Sequence, residues 1–95
     1  MTTIEHFKSS LTLGKQPSDL STVLQALWHD ARGDWGTAHS LIDQLDDMAS
    51  AHIHAYLHRK EGDIWNADYW YARANRARPN QSLEEEWESL LAEYI

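Results

Sequence analysis

Cysteine is missing from this 95-residue chain, which excludes disulfides, thiolate metal sites and cysteine nucleophiles together. Long apolar runs are missing as well. The stretch MTTIEHFKSSLTLGKQPSDL has no basic segment leading into an apolar one, as a secretory leader needs, and nothing near the roughly 20 apolar residues of a membrane helix. The expectation is a cytoplasmic protein with no membrane partner. Proline and glycine are scarce, two and four residues, so each marks a specific break.

Positive charge is the other shortage, with eight Lys and Arg against fifteen Asp and Glu for a formal charge of −7. Residues 16–47 hold six carboxylates against one arginine, and residues 81–95 hold five carboxylates and no cation. Residues 48–80 are positive, with five cations against three carboxylates. An acidic chain repels the phosphate backbone, and Arg73, Arg76 and Arg78 are too few to make a basic stripe. No nucleic-acid partner is expected; those arginines are placed against the acidic run Glu84, Glu85, Glu86 and Glu88.

Aromatics, by contrast, are plentiful, with five tryptophans and four tyrosines. A chain this short makes one domain with a small core. Aromatics that bury on the order of 150–250 Å² each compensate in part, and a homodimer would add more.

The middle of the chain repeats itself. ALWHDARGDWGTAHSLI (26–42) aligns with AYLHRKEGDIWNADYWY (55–71) at a constant offset that superposes Ala26 on Ala55, His29 on His58, Gly33-Asp34 on Gly62-Asp63, and Ala38 on Ala67. Each copy reads as helix, turn, helix. Gly33 and Gly62 suit the left-handed residue that ends a helix, and Asp34 and Asp63 suit the cap that opens the next. In the second copy Ile64, Ala67, Tyr71 and Ala74 fall at spacings of three and four, one inward stripe, and Pro79 stops the run.

EGDIWNADYWYARANRARPN (61–80) resembles the second half of a tetratricopeptide repeat, with Gly62-Asp63 at the turn, Ala67 at the helix crossing, Tyr71 as the large filler, Ala74 as the second small residue and Pro79 at the end. The first copy keeps Gly33-Asp34 and Ala38 and has Ile42 and Leu45 where the family has an aromatic and an alanine. The resemblance covers roughly residues 20–80. HAYLHRKEGD and YWY also resemble a family of short bacterial proteins of unassigned function.

Two repeats need lids on their outer faces. SLEEEWESLLAEYI (82–95) opens with a capping box, Ser82 to Glu85, and carries Leu83, Trp87, Leu90, Leu91 and Tyr94 on one stripe with glutamates elsewhere. At the other end Ile4, Phe7 and Leu11 share a face before Gly14 and Pro17. The expected fold is all-α: an N-terminal lid (1–17), two tetratricopeptide-like hairpins (18–47 and 48–79) and a capping helix (82–95) in one domain. Leu20, Val23 and Leu27 form a face too apolar to stay bare, to be covered by the N-terminal segment or by a second chain. Trp70 is expected under the capping helix near Trp87.

Two sets of residues are candidates for function. Tetratricopeptide resemblance implies that the first helix of each unit lines a groove, which would put His52, Tyr56, Arg59 and Lys60 on a shared outer face as a clamp for a carboxylate or peptide. The other set is His54, His58 and Glu61, stacked along one helical stripe. Imidazoles so placed suit zinc, although the acid that a metalloprotease His-Glu-x-x-His helix puts between its histidines is absent. Packing as neutral core histidines is the preferred reading, because His29 recurs at the position of His58. No phosphate loop or nucleophile elbow is present. The sequence thus points to a non-enzymatic protein or peptide interaction module without cofactor or metal; the alternative is a small metal-binding or hydrolytic protein using His54, His58 and Glu61.

Overall fold

Each helix of this chain begins where a short polar side chain accepts one of the free amides of the first turn. In the computed structural model, which describes residues 2–95, the caps are Thr3, Ser21, Asp34, Asp47, Asp63 and Ser82. They open α1 (Ile4–Leu13), α2 (Thr22–Ala31), α3 (Trp35–Ile42), α4 (Met48–Lys60), α5 (Ile64–Arg73) and α6 (Leu83–Tyr94). The described residues contain no strand, so the protein is all-α. Ser82 and Glu85 close a reciprocal capping box at the start of α6.

α2 with α3, and α4 with α5, are the two helical hairpins, each pair in extensive contact. Gly33 and Gly62 take φ values of 82° and 88° at the turns, where a side chain would be strained. Ala38 and Ala67 are fully buried at the crossings. Among the described residues no helix is long and apolar enough to cross a membrane.

α4 is the centre of the molecule, packed against α2, α3, α5 and α6. Every residue from Ser50 to Leu57 is buried, so this helix has almost no outward face. α6 lies across α2 and α4 and buries Leu90 and Leu91. Its Trp87 sits 6.0 Å from the Phe7 ring and donates its indole N–H to the Leu27 carbonyl at 3.2 Å. Phe7 brings α1 into the same apolar cluster as Leu20, Val23 and Leu27. The chain covers that apolar face itself, and no second copy is needed to shield it.

Three placements differ from the sequence reading. Trp70 stacks on His54 at 4.0 Å rather than meeting Trp87, because α5 packs on α4 while α6 spans α4 and α2. The arginines of 73–78 do not face the run 84–88: Arg76 pairs with Glu93, Arg78 with Asp68, and Arg73 lies over the rings of Tyr69 and Trp70. Glu86, expected outward, is 2% exposed and takes its cation, Arg59, from α4.

α1 is tied to α2 by a buried polar link. Ser10 Oγ accepts the indole N–H of Trp28 at 2.8 Å and donates to the Phe7 carbonyl at 2.6 Å. Ser10→Ala strands that buried N–H and is expected to cost about 1–2 kcal/mol, a fall of roughly 5–15 °C in melting temperature for a domain of this size. Thermal melts of the two proteins check it, and an unchanged midpoint would contradict the link.

Candidate functional site

The face expected to be open is closed. His52 is 6% exposed and its Nδ1 lies 2.8 Å from the Tyr94 hydroxyl; Tyr56 is 2% exposed and donates its hydroxyl to Asp30 at 3.0 Å. Arg59 is held by Glu86 at 2.8 Å and by the Gln81 carbonyl, and Lys60 reaches Asp30 at 2.9 Å. These residues do share one side of α4, but α6 and α2 lie on that side and neutralise both cations. Arg59 and Lys60 are therefore not a free clamp for a carboxylate. Tyr56 and Lys60 border one open hollow, and Arg59 borders another with Arg78, Pro79, Asn80 and Gln81.

The other side of α4 gathers three imidazoles. His54 and His58 stand one turn apart with rings stacked at 4.8 Å, as the i,i+4 spacing dictates. α3 brings in His39, one residue past the buried Ala38 at the hairpin crossing. Its Nε2 is 3.1 Å from Nε2 of His54, so one nitrogen carries the proton and the other accepts it. His39, His54 and His58 each present a ligating nitrogen within 4.8 Å of the others. Two tryptophans hold the rings in place: Trp35 stacks on His39 at 4.8 Å and only 10° from parallel, and Trp70 stacks on His54. Trp35 is itself pinned, its indole N–H donating to the Leu57 carbonyl at 2.8 Å.

Carboxylates stand behind the rings. Glu61 Oε1 lies 2.6 Å from His58 Nδ1, which orients that ring and leaves Nε2 as its unengaged nitrogen. Asp43 Oδ2 lies 3.9 Å from His39 Nδ1, too long for a hydrogen bond. His54 is the most enclosed member, 4% exposed, and its Nδ1 is buried without a partner among the described residues. Burial first, then the neighbouring His58 and His39, push its pKa down to about 4. At neutral pH it is an uncharged ring with a lone pair to give.

Sequence reasoning found His54 and His58 and missed His39. It assigned Glu61 as a ligand, whereas the carboxylate is turned toward His58 Nδ1. The packed reading took His54 and His58 as neutral core histidines; His54 is buried, and the group it meets is another histidine. His29, the repeat counterpart of His58, lies edge-on to Trp28 and is not one of the three. A signal for His39 existed in its position: the residue after the crossing alanine turns about 100° around α3, away from α2 and toward α4. No family description, characterised protein or solved structure matches the chain.

Proposed function

We propose that this protein is a metal-binding helical domain in which His39, His54 and His58 hold a divalent late transition-metal ion such as zinc. The convergence of three imidazoles from two helices carries the reading. Tetrahedral zinc with Zn–N bonds of about 2.0–2.1 Å sets ligand nitrogens about 3.3 Å apart. His39 and His54 are at 3.1 Å already, and the third nitrogen, within 4.8 Å, closes by a modest ring rotation. Imidazole suits zinc, copper, nickel and iron better than magnesium or calcium. Glu61 behind His58 supplies the outer carboxylate that fixes tautomer and raises ligand basicity.

Three protein nitrogens leave a fourth position for water, as catalytic rather than closed structural zinc sites do. The reading is nevertheless of metal binding: Glu61, committed to His58, is an orienting group and not a free base. The Gly-Asp turns with Ala67, Tyr71 and Ala74 buried support describing the hairpins as tetratricopeptide-like, with the metal bridging the second helix of one unit to the first helix of the next.

Calorimetric titration of chelator-treated protein with zinc is expected to give one equivalent, and His39→Ala with His58→Ala to abolish it while circular dichroism stays helical. Zinc at ten times its dissociation constant should add about 1.4 kcal/mol, raising the melting temperature by roughly 6–11 °C. Equal zinc uptake by the double variant, or none by the parent, overturns the reading.

A further inference from the structure

α5 is an edge of the fold, packed extensively on α4 alone. Its inward stripe, Ala67, Tyr71 and Ala74, is buried, and its outward stripe is Trp65, Tyr69 and Arg73, each four residues from the next. The outermost positions of a surface helix are ordinarily polar. Here Trp65 is 78% exposed and Tyr69 48%, and the Trp65 indole has neither a stacking ring nor a hydrogen-bond acceptor among the described residues. Arg73 lies over the rings of Tyr69 and Trp70 at 5.8 and 5.3 Å and donates to the Tyr69 hydroxyl at 3.1 Å. It has no carboxylate partner among the described residues.

The repeat supplies an internal control. At the offset that superposes Ala38 on Ala67, the counterparts of Trp65, Tyr69 and Arg73 are Gly36, Ser40 and Gln44, all exposed. The first hairpin closes with small and polar residues at these positions, so the aromatic stripe of the second does not serve hairpin packing. Charge bears on what covers it. The chain carries −7 overall, which drives copies apart in most approaches. On α5, however, the one carboxylate is Asp68, and Arg78 already neutralises it.

We propose that this stripe pairs with the same stripe of a second copy, the two α5 helices running antiparallel about a two-fold axis at Tyr69. The order of groups selects the occupant: an indole at one end, a guanidinium at the other and a phenol between them. Reversed, that order is complementary to itself. Trp65 of each copy receives the partner's Arg73 on its face, a cation–π contact, and Tyr69 meets Tyr69, the self-complementarity that an isologous interface requires. Rows of residues four apart are also the ridges by which helices interlock. Trp65 and Arg73 are about 12 Å apart along the helix, so the contact is small, on the order of 400–500 Å² per copy against about 800 Å² per partner in a stable interface. The pair is therefore weak, and the protein is monomeric when dilute. The stripe shares no residue with the imidazole cluster, and the pairing does not depend on a metal.

Sedimentation equilibrium of the full chain from about 10 μM to about 1 mM is expected to show the mass rising toward that of a dimer, and chemical shifts that move over the same range to fall on Trp65, Tyr69 and Arg73. Two variants at one exposed position separate this pairing from unspecific apolar contact. Trp65→Lys sets a cation against the partner's Arg73 and should weaken association by more than about tenfold. Trp65→Glu sets a carboxylate there instead and should recover about fivefold of that loss, since the two-fold axis counts each ion pair twice. Circular dichroism of both should match the parent. A monomer at millimolar concentration, moving shifts that fall elsewhere, or equal weakening by the two variants overturns the proposal.

Discussion

Glu86→Ala is expected to destabilise the protein by about 3–5 kcal/mol, the largest loss of any single substitution outside the apolar core. One oxygen of this buried carboxylate takes Arg59 at 2.8 Å and the other takes the Tyr71 hydroxyl at 2.6 Å, so one side chain on α6 joins α4 to α5. Alanine leaves a half-buried guanidinium and a buried hydroxyl without their acceptor. Arg59 keeps the Gln81 carbonyl, which softens the loss. Domains of this size have a total stability of roughly 5–10 kcal/mol, so a good part of the margin disappears. Urea denaturation checks it. Glu86→Gln, which can still accept one of the two bonds, should lose less; a loss under about 1 kcal/mol for alanine would show that the network contributes little.

Acid is the second large effect. Burial lowers the pKa of His52 to about 4, with the positive charge of Arg76 adding to it and Glu93 opposing; His54 is lowered to about 4 by burial, His58 and His39, with Asp43 opposing. In the unfolded chain both rings return to about 6.5. Above that pH they are neutral in both states and stability does not change through them. Between 6.5 and 4 the unfolded chain takes up protons that the folded chain refuses, so stability falls as pH falls; below 4 both states are protonated and the loss levels off. The full loss is about 3 kcal/mol for each ring. The capping carboxylates Asp34, Asp47 and Asp63 have pKa values lowered from 3.8 by their hydrogen bonds to Thr37, Ser50 and Asn66, so their contribution is lost in a lower window. Urea midpoints from pH 7.5 to 4.5 should therefore drop steeply in the parent and less so in His52→Gln and His54→Gln. A flat profile to pH 5 would falsify the assignment.

Local features were legible from the residues alone. Gly33-Asp34 and Gly62-Asp63 announced the hairpins, and Ser82 with Glu85 announced α6, because a turn or a cap is decided within four or five residues. The inward stripe of α5 was legible through Ala67, Tyr71 and Ala74, with Ile64 at its exposed margin. Glu86 was misread for a different reason. It lies on the stripe with Leu83 and Leu90 by spacing, and residue type was allowed to overrule position. The outward assignment of His52, Tyr56 and Arg59 failed because α4 is enclosed on all sides, and a helix so enclosed has no periodicity with which to signal its direction. His39 needed the tertiary arrangement: only the approach of α3 to α4 brings it to His54, across fifteen residues of chain.

The enclosure of α4 also makes it a shared axle. His54 and His58 leave it on one side and Tyr56 and Lys60 on the other, since residues two apart are about 200° apart around a helix. The same helix thus lends one side to the imidazole cluster and the other to the Asp30 hydrogen bonds, so a substitution that breaks α4 disturbs both.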